Sequence, residues 1–173
     1  MKPINWIKFT WDLTKLSCDD SELPEHYEIA LATPDDETEV RKVISSSFVL
    51  DPTWNPAMQE VMQTIEGWLS DAFQSEKRAY LVLRHGLRII GATALSLDSD
   101  AENHLAPGPC IIVEYRNRGF GTRLLEHSLK FLRDAGLPTG VGIAKENAPV
   151  TRFLYTKFNG VAAPHDFTPL LAA

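Results

Sequence analysis

Apolar residues recur along this chain with two periods, and the first pattern is an alternation near the N-terminus. Every second residue of one stretch is apolar: Ile7, Phe9, Trp11 and Leu13. This alternation predicts a strand. Residues 17–26 follow as a polar, turn-rich connector. We therefore interpret residues 1–26 as an N-terminal arm that packs on the main domain, residues 27–173, or on a second copy in a homodimer.

From Tyr27 onward, helical and strand-like periods succeed one another. They predict strands over 27–32, 105–113 and 139–144, a hairpin over 78–97, and helices over 33–48, 58–73, 119–135 and 148–158, with one or two short strands at the end. Thr33 is the expected N-cap of the first helix, with Pro34 in its first turn. Pro107, Gly108 and Pro109 predict a bulged or splayed segment within the 105–113 strand. The strands outnumber those of a doubly wound fold, which indicates a mixed sheet flanked by helices in the α/β (α+β) class.

Composition narrows the class of protein. The chain has 173 residues, of which 44% are apolar and 23% charged, and its net charge is −6. This balance is typical of a single globular domain and argues against a nucleic-acid-binding surface. Cys18 and Cys110 cannot build a disulfide framework, and no metal-ligand spacing is present. The apolar runs are too short to span a bilayer, and the N-terminus lacks a secretory pattern, so we expect a cytoplasmic protein with no metal and no membrane partner.

The stretch over 111–125 carries the clearest chemistry. It reads as a strand, a basic turn with two glycines, and a helix. Gly119 and Gly121 permit close approach of the backbone to a ligand, and the N-terminus of the following helix favours anions. Arg116, Arg118 and Arg123 add positive charge at this end of the helix. The stretch predicts a site for a diphosphate or a similar anion.

Two common phosphate motifs do not fit this stretch. The chain has no GxxxxGK[ST] sequence, which excludes a Walker-type nucleotide triphosphatase. GxGxxG fails because Leu124 stands where its third glycine would be. A purely structural role, in which the two glycines only shape a turn, remains an alternative.

The residues Arg116-Asn117-Arg118-Gly119-Phe120-Gly121 match the coenzyme A loop Q/R-x-x-G-x-G/A, and here the chain resembles the GNAT superfamily of acyl-CoA-dependent N-acyltransferases. The order of predicted elements matches from Tyr27 to the C-terminus. The resemblance implies a mixed, mostly antiparallel central sheet flanked by about four helices, with two strands splayed at the coenzyme site. It also implies acetyl-CoA as the cosubstrate.

In such enzymes the pantetheine arm lies between the splayed fourth and fifth strands. The resemblance implies that the backbone of Ile111 and Val113 pairs with the pantetheine amides, and that the amides of residues 118–122 bind the diphosphate. One N–H of the strand would polarise the thioester carbonyl. The implied coenzyme-binding residues are Ile111, Ile112, Val113, Arg116, Asn117, Arg118, Gly119, Phe120, Gly121, Thr122 and Asn147.

The last predicted helix resembles the family pattern N-x-x-A-x-x-x-Y. The pattern implies that Asn147 contacts the pantetheine arm and that Tyr155 is the general acid that protonates the departing thiolate. In this chain the two residues are one position further apart than usual, and one helical residue turns a side chain by about 100°. A helix cap for Asn147 and a core position for Tyr155 are the structural alternatives.

The sequence does not identify the general base that an amine acceptor requires. The candidates are Glu114, His104, Asp98, His165 and Asp166, whereas Cys110 is more typical of a buried apolar position. We expect acetyl transfer to a primary amine of a small molecule or a peptide. The alternatives are a non-catalytic acyl-CoA-binding module and a purely structural domain.

Overall fold

The computed structural model describes residues 6–16, 23–49, 78–101, 103–105, 108–145 and 153–165. Its strands are β1 (Trp6–Asp12), β2 (Tyr27–Leu31), β3 (Arg78–His85), β4 (Arg88–Ser96), β5 (Cys110–Ile111), β6 (Thr139–Lys145) and β7 (Val161–His165), and its α-helices are α1 (Glu37–Val49) and α2 (Phe120–Asp134). About four helices were expected, and two lie within the described residues. The predicted helix over 58–73 and residues 148–152 of that over 148–158 lie outside them, while the described residues 153–158 form a short π-helical segment followed by a turn.

The strands form two antiparallel sheets, which confirms the predicted α/β class with a mostly antiparallel sheet. One sheet has the order β2-β3-β4-β5 and the other the order β6-β1-β7. β5 is therefore an edge of the first sheet and β6 an edge of the second. Two splayed strands were expected at the coenzyme site. They correspond to β5 and β6, and the gap between them is where the two sheets separate.

The alternation over residues 7–13 forms β1, the central strand of the second sheet. β1 pairs with β6 from Trp6↔Lys145 to Asp12↔Thr139, and its other side pairs with β7. Phe9 and Trp11 are buried on one face. The segment predicted as an N-terminal arm therefore contains the central strand of this sheet, which lies between β6 and β7.

The predicted strand over 105–113 is wrong in extent. Only Cys110 and Ile111 form β5, which pairs with β4 through Gly91↔Ile111 and Ala92↔Cys110. Continuation of this register would put Pro109 opposite Thr93, but the ladder ends at Cys110, and Gly108 departs from strand geometry with a φ of 150°. The peptide bond between Gly108 and Pro109 is cis. Pairing resumes only as an isolated bridge between Leu95 and Leu105.

Polar side chains fix the start of the α1 region. Thr33 precedes the first turn of the α1 region, and its N–H donates to Asp36 Oδ2 at 2.9 Å, while Arg84 of β3 bonds the same oxygen at 2.7 Å. These hydrogen bonds lower the pKa of the Asp36 carboxyl.

α2 lies over the junction of the two sheets because its leucines contact both. A Cβ added at Gly91 of β4 would lie 3.5 Å from Leu124 Cδ2, and one added at Gly140 of β6 would lie 3.5 Å from Leu129 Cδ2. The start of this helix is therefore fixed at the point where β5 and β6 separate.

Candidate active site

The chain between β5 and α2 forms a tight loop. After Ile112 it makes a 3₁₀ turn over Val113–Tyr115 and then enters α2 at Phe120. The predicted strand included Val113, but Val113 lies in this turn instead and is half-exposed. Asn117 (φ 64°) and Gly119 (φ 84°) both adopt left-handed conformations, which Asn and Gly tolerate best. These two residues reverse the chain so that the helix begins beside the end of β5.

The N-terminus of α2 presents backbone donors. Its first backbone hydrogen bond runs from Arg123 N–H to Gly119 C=O at 3.2 Å, and no side chain caps the helix at Gly119 within the described residues. The N–H groups of Phe120, Gly121 and Thr122 therefore have no acceptor inside the helix. They carry the partial positive charge of a helix N-terminus, which suits a phosphate group.

The arginines of the loop have different environments. Arg116 Nε donates to the carbonyl of Ile111 at 3.0 Å, which ties the loop back to β5. Arg118 is exposed, and its guanidinium carbon lies 5.4 Å from the centre of the Tyr115 ring. Arg123 lies 3.8 Å from the buried carboxylate of Glu126, to which Lys130 also binds at 3.2 Å. Of these three arginines, Arg118 is the most accessible to an anion.

The backbone of β5 exposes one set of polar groups to the gap between the sheets. Ile112 N–H donates to Ile90 C=O of β4 at 3.0 Å. Because antiparallel strands alternate their hydrogen-bonding residues, the N–H and C=O of Ile111 point away from β4. The Ile111 carbonyl accepts the bond from Arg116, and the Ile111 N–H lies on the side of the gap.

Tyr155 stands in this gap and bridges its two sides. Its side chain is 1% exposed, and its hydroxyl donates a short hydrogen bond to the carbonyl of Gly108, just before β5. Its ring lies against β6, where a Cβ at Gly142 would be 3.0 Å from Tyr155 Cε2. Burial raises the pKa of the Tyr155 phenol well above its usual value, and nearby Cys110 acts in the same direction. The phenol is therefore protonated at neutral pH.

His104 joins the two sheets at the far end of the gap. Its backbone N–H donates to Val141 C=O at 2.7 Å, and its Nδ1 accepts from Val141 N–H at 2.9 Å. Since Nδ1 is an acceptor, the ring proton is on Nε2, which donates to Asp98 C=O at 2.9 Å. Burial lowers the pKa of His104, which is 2% exposed. Both ring nitrogens are occupied by backbone groups, so His104 is a structural bridge in this conformation and not an available base.

The remaining candidates lie apart from one another. Glu114 is exposed in the 3₁₀ turn, 4.0 Å from Arg88. Cys110 is buried on β5 with 6% exposure. His165 lies in β7, opposite Trp6 of β1. Asn147 and Asp166 lie outside the described residues.

Sequence reasoning missed two residues that build the surroundings of Tyr155, namely Trp11 and Gly142. Trp11 was assigned only to the arm, and Gly142 only to a strand. A glycine at a strand position that faces the core is the one signal that pointed to close packing there. The described residues also hold no group of three or more side chains able to ligate a metal and no helix long and apolar enough to cross a membrane.

Comparison with known proteins identifies the family to which this loop, helix and pair of sheets belong. The model of the acetyltransferase (GNAT) family matches residues 38–160. The chain belongs to this family. Among curated proteins no sequence matches it significantly.

Solved structures share the fold at low sequence identity. A GCN5-related N-acetyltransferase from Sphaerobacter thermophilus is 14% identical with a TM-score of 0.63, over 94% of this chain and 50% of that one. A GNAT-family acetyltransferase from Colwellia psychrerythraea is 15% identical with a TM-score of 0.64, over 94% and 54%. A conserved protein of unknown function from Staphylococcus epidermidis is 15% identical with a TM-score of 0.62, over 94% and 59%. The chain thus spans between one half and three fifths of these structures.

Proposed function

We propose that this chain transfers the acetyl group of acetyl-CoA to a primary amine. The observation that carries the proposal is the uncapped N-terminus of α2, placed by Asn117 and Gly119 next to the gap in which Tyr155 stands. Membership of the acetyltransferase family supports it. The N–H groups of residues 120–122 and the side chain of Arg118 would bind the diphosphate of the coenzyme.

The gap between β5 and β6 would receive the pantetheine arm. Ile111 contributes an N–H that points into this gap, which suits an amide carbonyl or the thioester oxygen. Val113 is a weaker candidate than the family pattern implies, because its carbonyl accepts the Arg116 N–H within the 3₁₀ turn. Backbone recognition is thereby concentrated on the N–H of Ile111, because Ile112 bonds Ile90 through its N–H and Tyr115 through its carbonyl.

Tyr155 would act as the general acid. In the proposed reaction the amine nitrogen bonds to the thioester carbonyl carbon, the carbon–sulfur bond breaks, and the sulfur receives a proton while the nitrogen loses one to water. Rotation of the Tyr155 O–H away from Gly108 would direct its proton to the sulfur. The phenol donates a hydrogen bond to the developing thiolate and passes its proton to the sulfur, and water returns the proton lost by nitrogen to the phenolate, whose raised pKa favours this reprotonation.

A panel of primary amines, including small polyamines, amino acids, aminoglycosides and short peptides, would test the proposal by release of free thiol from acetyl-CoA. The expected result is amine-dependent thiol release together with a mass increase of the acceptor by one acetyl group. Calorimetric titration with coenzyme A gives the complementary measurement. The absence of both binding and release in a folded sample would overturn the proposal.

A non-catalytic acyl-CoA-binding module is the second candidate. It is favoured by one observation, the engagement of the deeply buried Tyr155 hydroxyl by the Gly108 carbonyl. Binding of coenzyme A without thiol release across the whole panel would support this alternative.

A further inference from the structure

The side chain that most closely confines Tyr155 comes from β1. Trp11 and Tyr155 have ring centres 5.2 Å apart with an angle of 90° between the ring planes, and Phe9 lies 5.5 Å away at 68°. Such edge-to-face pairs favour one orientation of the ring. On the third side a Cβ at Gly142 would lie 3.0 Å from the tyrosine ring and 3.1 Å from Trp11 Cζ3, so neither ring has room to shift toward β6.

Trp11 also fixes the backbone that carries Tyr155. Its indole Nε1–H donates to the carbonyl of Lys157 at 2.9 Å. Lys157 N–H in turn bonds Leu154 C=O at 2.9 Å, so this turn encloses Tyr155. A Cβ at Gly160 would lie 2.7 Å from Trp11 Nε1, which shows how closely the turn approaches the indole. One side chain therefore sets both the ring plane and the main chain of Tyr155.

β1 lies outside the part of the chain that matches the family model, which begins at residue 38. The surroundings of Tyr155 thus combine residues inside the matched range with a strand that lies before it. We propose that Trp11 is a positioning residue for the Tyr155 hydroxyl, acting through ring contact and through the bond to Lys157. The inference rests on the proposed function, in which Tyr155 protonates the departing thiolate.

A double-mutant cycle tests this inference. The variants are Trp11→Phe, Tyr155→Phe and the pair, assayed with the best amine of the panel. Trp6→Phe is the matched control, since Trp6 lies on the opposite face of β1 beside Val141 and Ile143. Trp11→Phe should lower kcat by about tenfold to hundredfold, because small displacements of a catalytic group have effects of this order. KM for acetyl-CoA should stay within about twofold, as should kcat of Trp6→Phe.

The cycle separates positioning from general stability. If Trp11 acts through Tyr155, Trp11→Phe should have little effect in the Tyr155→Phe background. An unchanged kcat in folded Trp11→Phe, or an equal loss in both backgrounds, overturns the inference alone. Parent enzyme without turnover overturns the proposed function and this inference with it, whereas Tyr155→Phe with parental kcat overturns the acid role of Tyr155 and this inference but leaves the proposed acetyl transfer standing. If Trp11→Phe does not fold, Trp11→Tyr takes its place in the cycle, because it keeps a larger ring while removing the indole N–H that bonds Lys157, and the same outcomes apply.

Discussion

The two loop glycines show how neighbouring residues of one type serve different ends. Gly119 has a φ of 84° and nothing within 4 Å of its Cβ position, so only its conformation requires glycine. Gly121 has ordinary backbone angles, but a Cβ there would lie 3.1 Å from Leu154 Cδ1. Contact with Leu154 is therefore a structural reason for Gly121, beside its expected role in approaching a ligand.

Two substitutions of Gly119 should show whether this position requires the left-handed backbone conformation or only a small side chain. Gly119→Val should lower the free energy of unfolding by about 1–2 kcal/mol and weaken coenzyme A binding, because β-branched residues resist the left-handed region. Gly119→Asn should retain most of both, since Asn117 already adopts that conformation two residues earlier. Chemical denaturation and calorimetric titration measure the two effects. Equal behaviour of the Val and Asn variants would contradict a conformational role.

Tyr155→Phe should retain the fold and lose rate. The ring contacts with Trp11 and Phe9 remain, while the hydroxyl and its bond to Gly108 are removed. Loss of a positioned acid typically costs on the order of 10² to 10⁴ in kcat. Steady-state kinetics should show this loss with coenzyme A affinity nearly unchanged. A kcat within about threefold of the parent would rule out an important acid role, provided that chemistry limits turnover.

At the scale of elements, the segment before β5 holds the two sheets together. His104 bonds Val141 through both its backbone N–H and its ring, and Asn103 Oδ1 accepts from Ile143 N–H at 3.4 Å. Ser96 N–H of β4 bonds His104 C=O at 2.9 Å, which completes the connection from β4 to β6. This bridge holds β6 beside the segment that connects β4 to β5.

The bridge predicts an acid-sensitive stability. The pKa of His104 is lowered in the folded chain, whereas the unfolded chain titrates near the ordinary value of about 6.5. Below that pH the unfolded state binds more protons, so the free energy of unfolding should fall by up to about 1.4 kcal/mol per pH unit until the folded pKa is passed.

Denaturation curves between pH 7.5 and 5 should show this slope in the parent and much less of it in His104→Asn, whose amide oxygen can accept the Val141 N–H. The pKa of His127 is also lowered, mainly by burial, but His127 is present in both proteins and so does not affect their difference. The same slope in both proteins would contradict the assignment.

Local periodicity predicted the elements whose determinants lie close in sequence. The buried stripe of Val40, Val43 and Ile44 marked α1, and alternation marked the hairpin of β3 and β4, although its turn falls at Gly86 and Leu87 instead of His85 and Gly86. The segment before β5 was predicted too long. The prolines predicted a local irregularity within the strand, whereas the ladder ends at Cys110, close to Gly108 with its φ of 150°.

The site was predicted less completely because its geometry depends on distant pairing. The loop motif identified the start of α2, since both glycines and arginines are adjacent in sequence. The tautomer of His104 depends on Val141, and the surroundings of Tyr155 depend on Trp11 and Gly142. Such contacts leave no local periodic signal, so apolar patterns could not reveal them.

At the scale of the whole molecule, coenzyme binding should stabilise the fold. A ligand that binds only the native state adds about 2.7 kcal/mol at a hundredfold excess over its Kd. Acetyl-CoA at millimolar concentration should therefore raise Tm measurably in a thermal unfolding scan. Pantetheine should raise it far less, because it lacks the diphosphate expected at the N-terminus of α2. Equal shifts from both ligands would place recognition elsewhere.

The central place of β1 has a consequence for synthesis. The bond from Trp11 to Lys157 joins residues 146 positions apart. β1 leaves the ribosome long before β6 and β7 exist, whereas β3 can pair with β4 at once. Contacts between distant residues form slowly, because the chain loses the entropy of closing a long loop before the contact stabilises it. During synthesis the second sheet can therefore be completed only after residue 165 has emerged, and the enclosure of Tyr155 by β1 and β6 becomes possible only at that late stage.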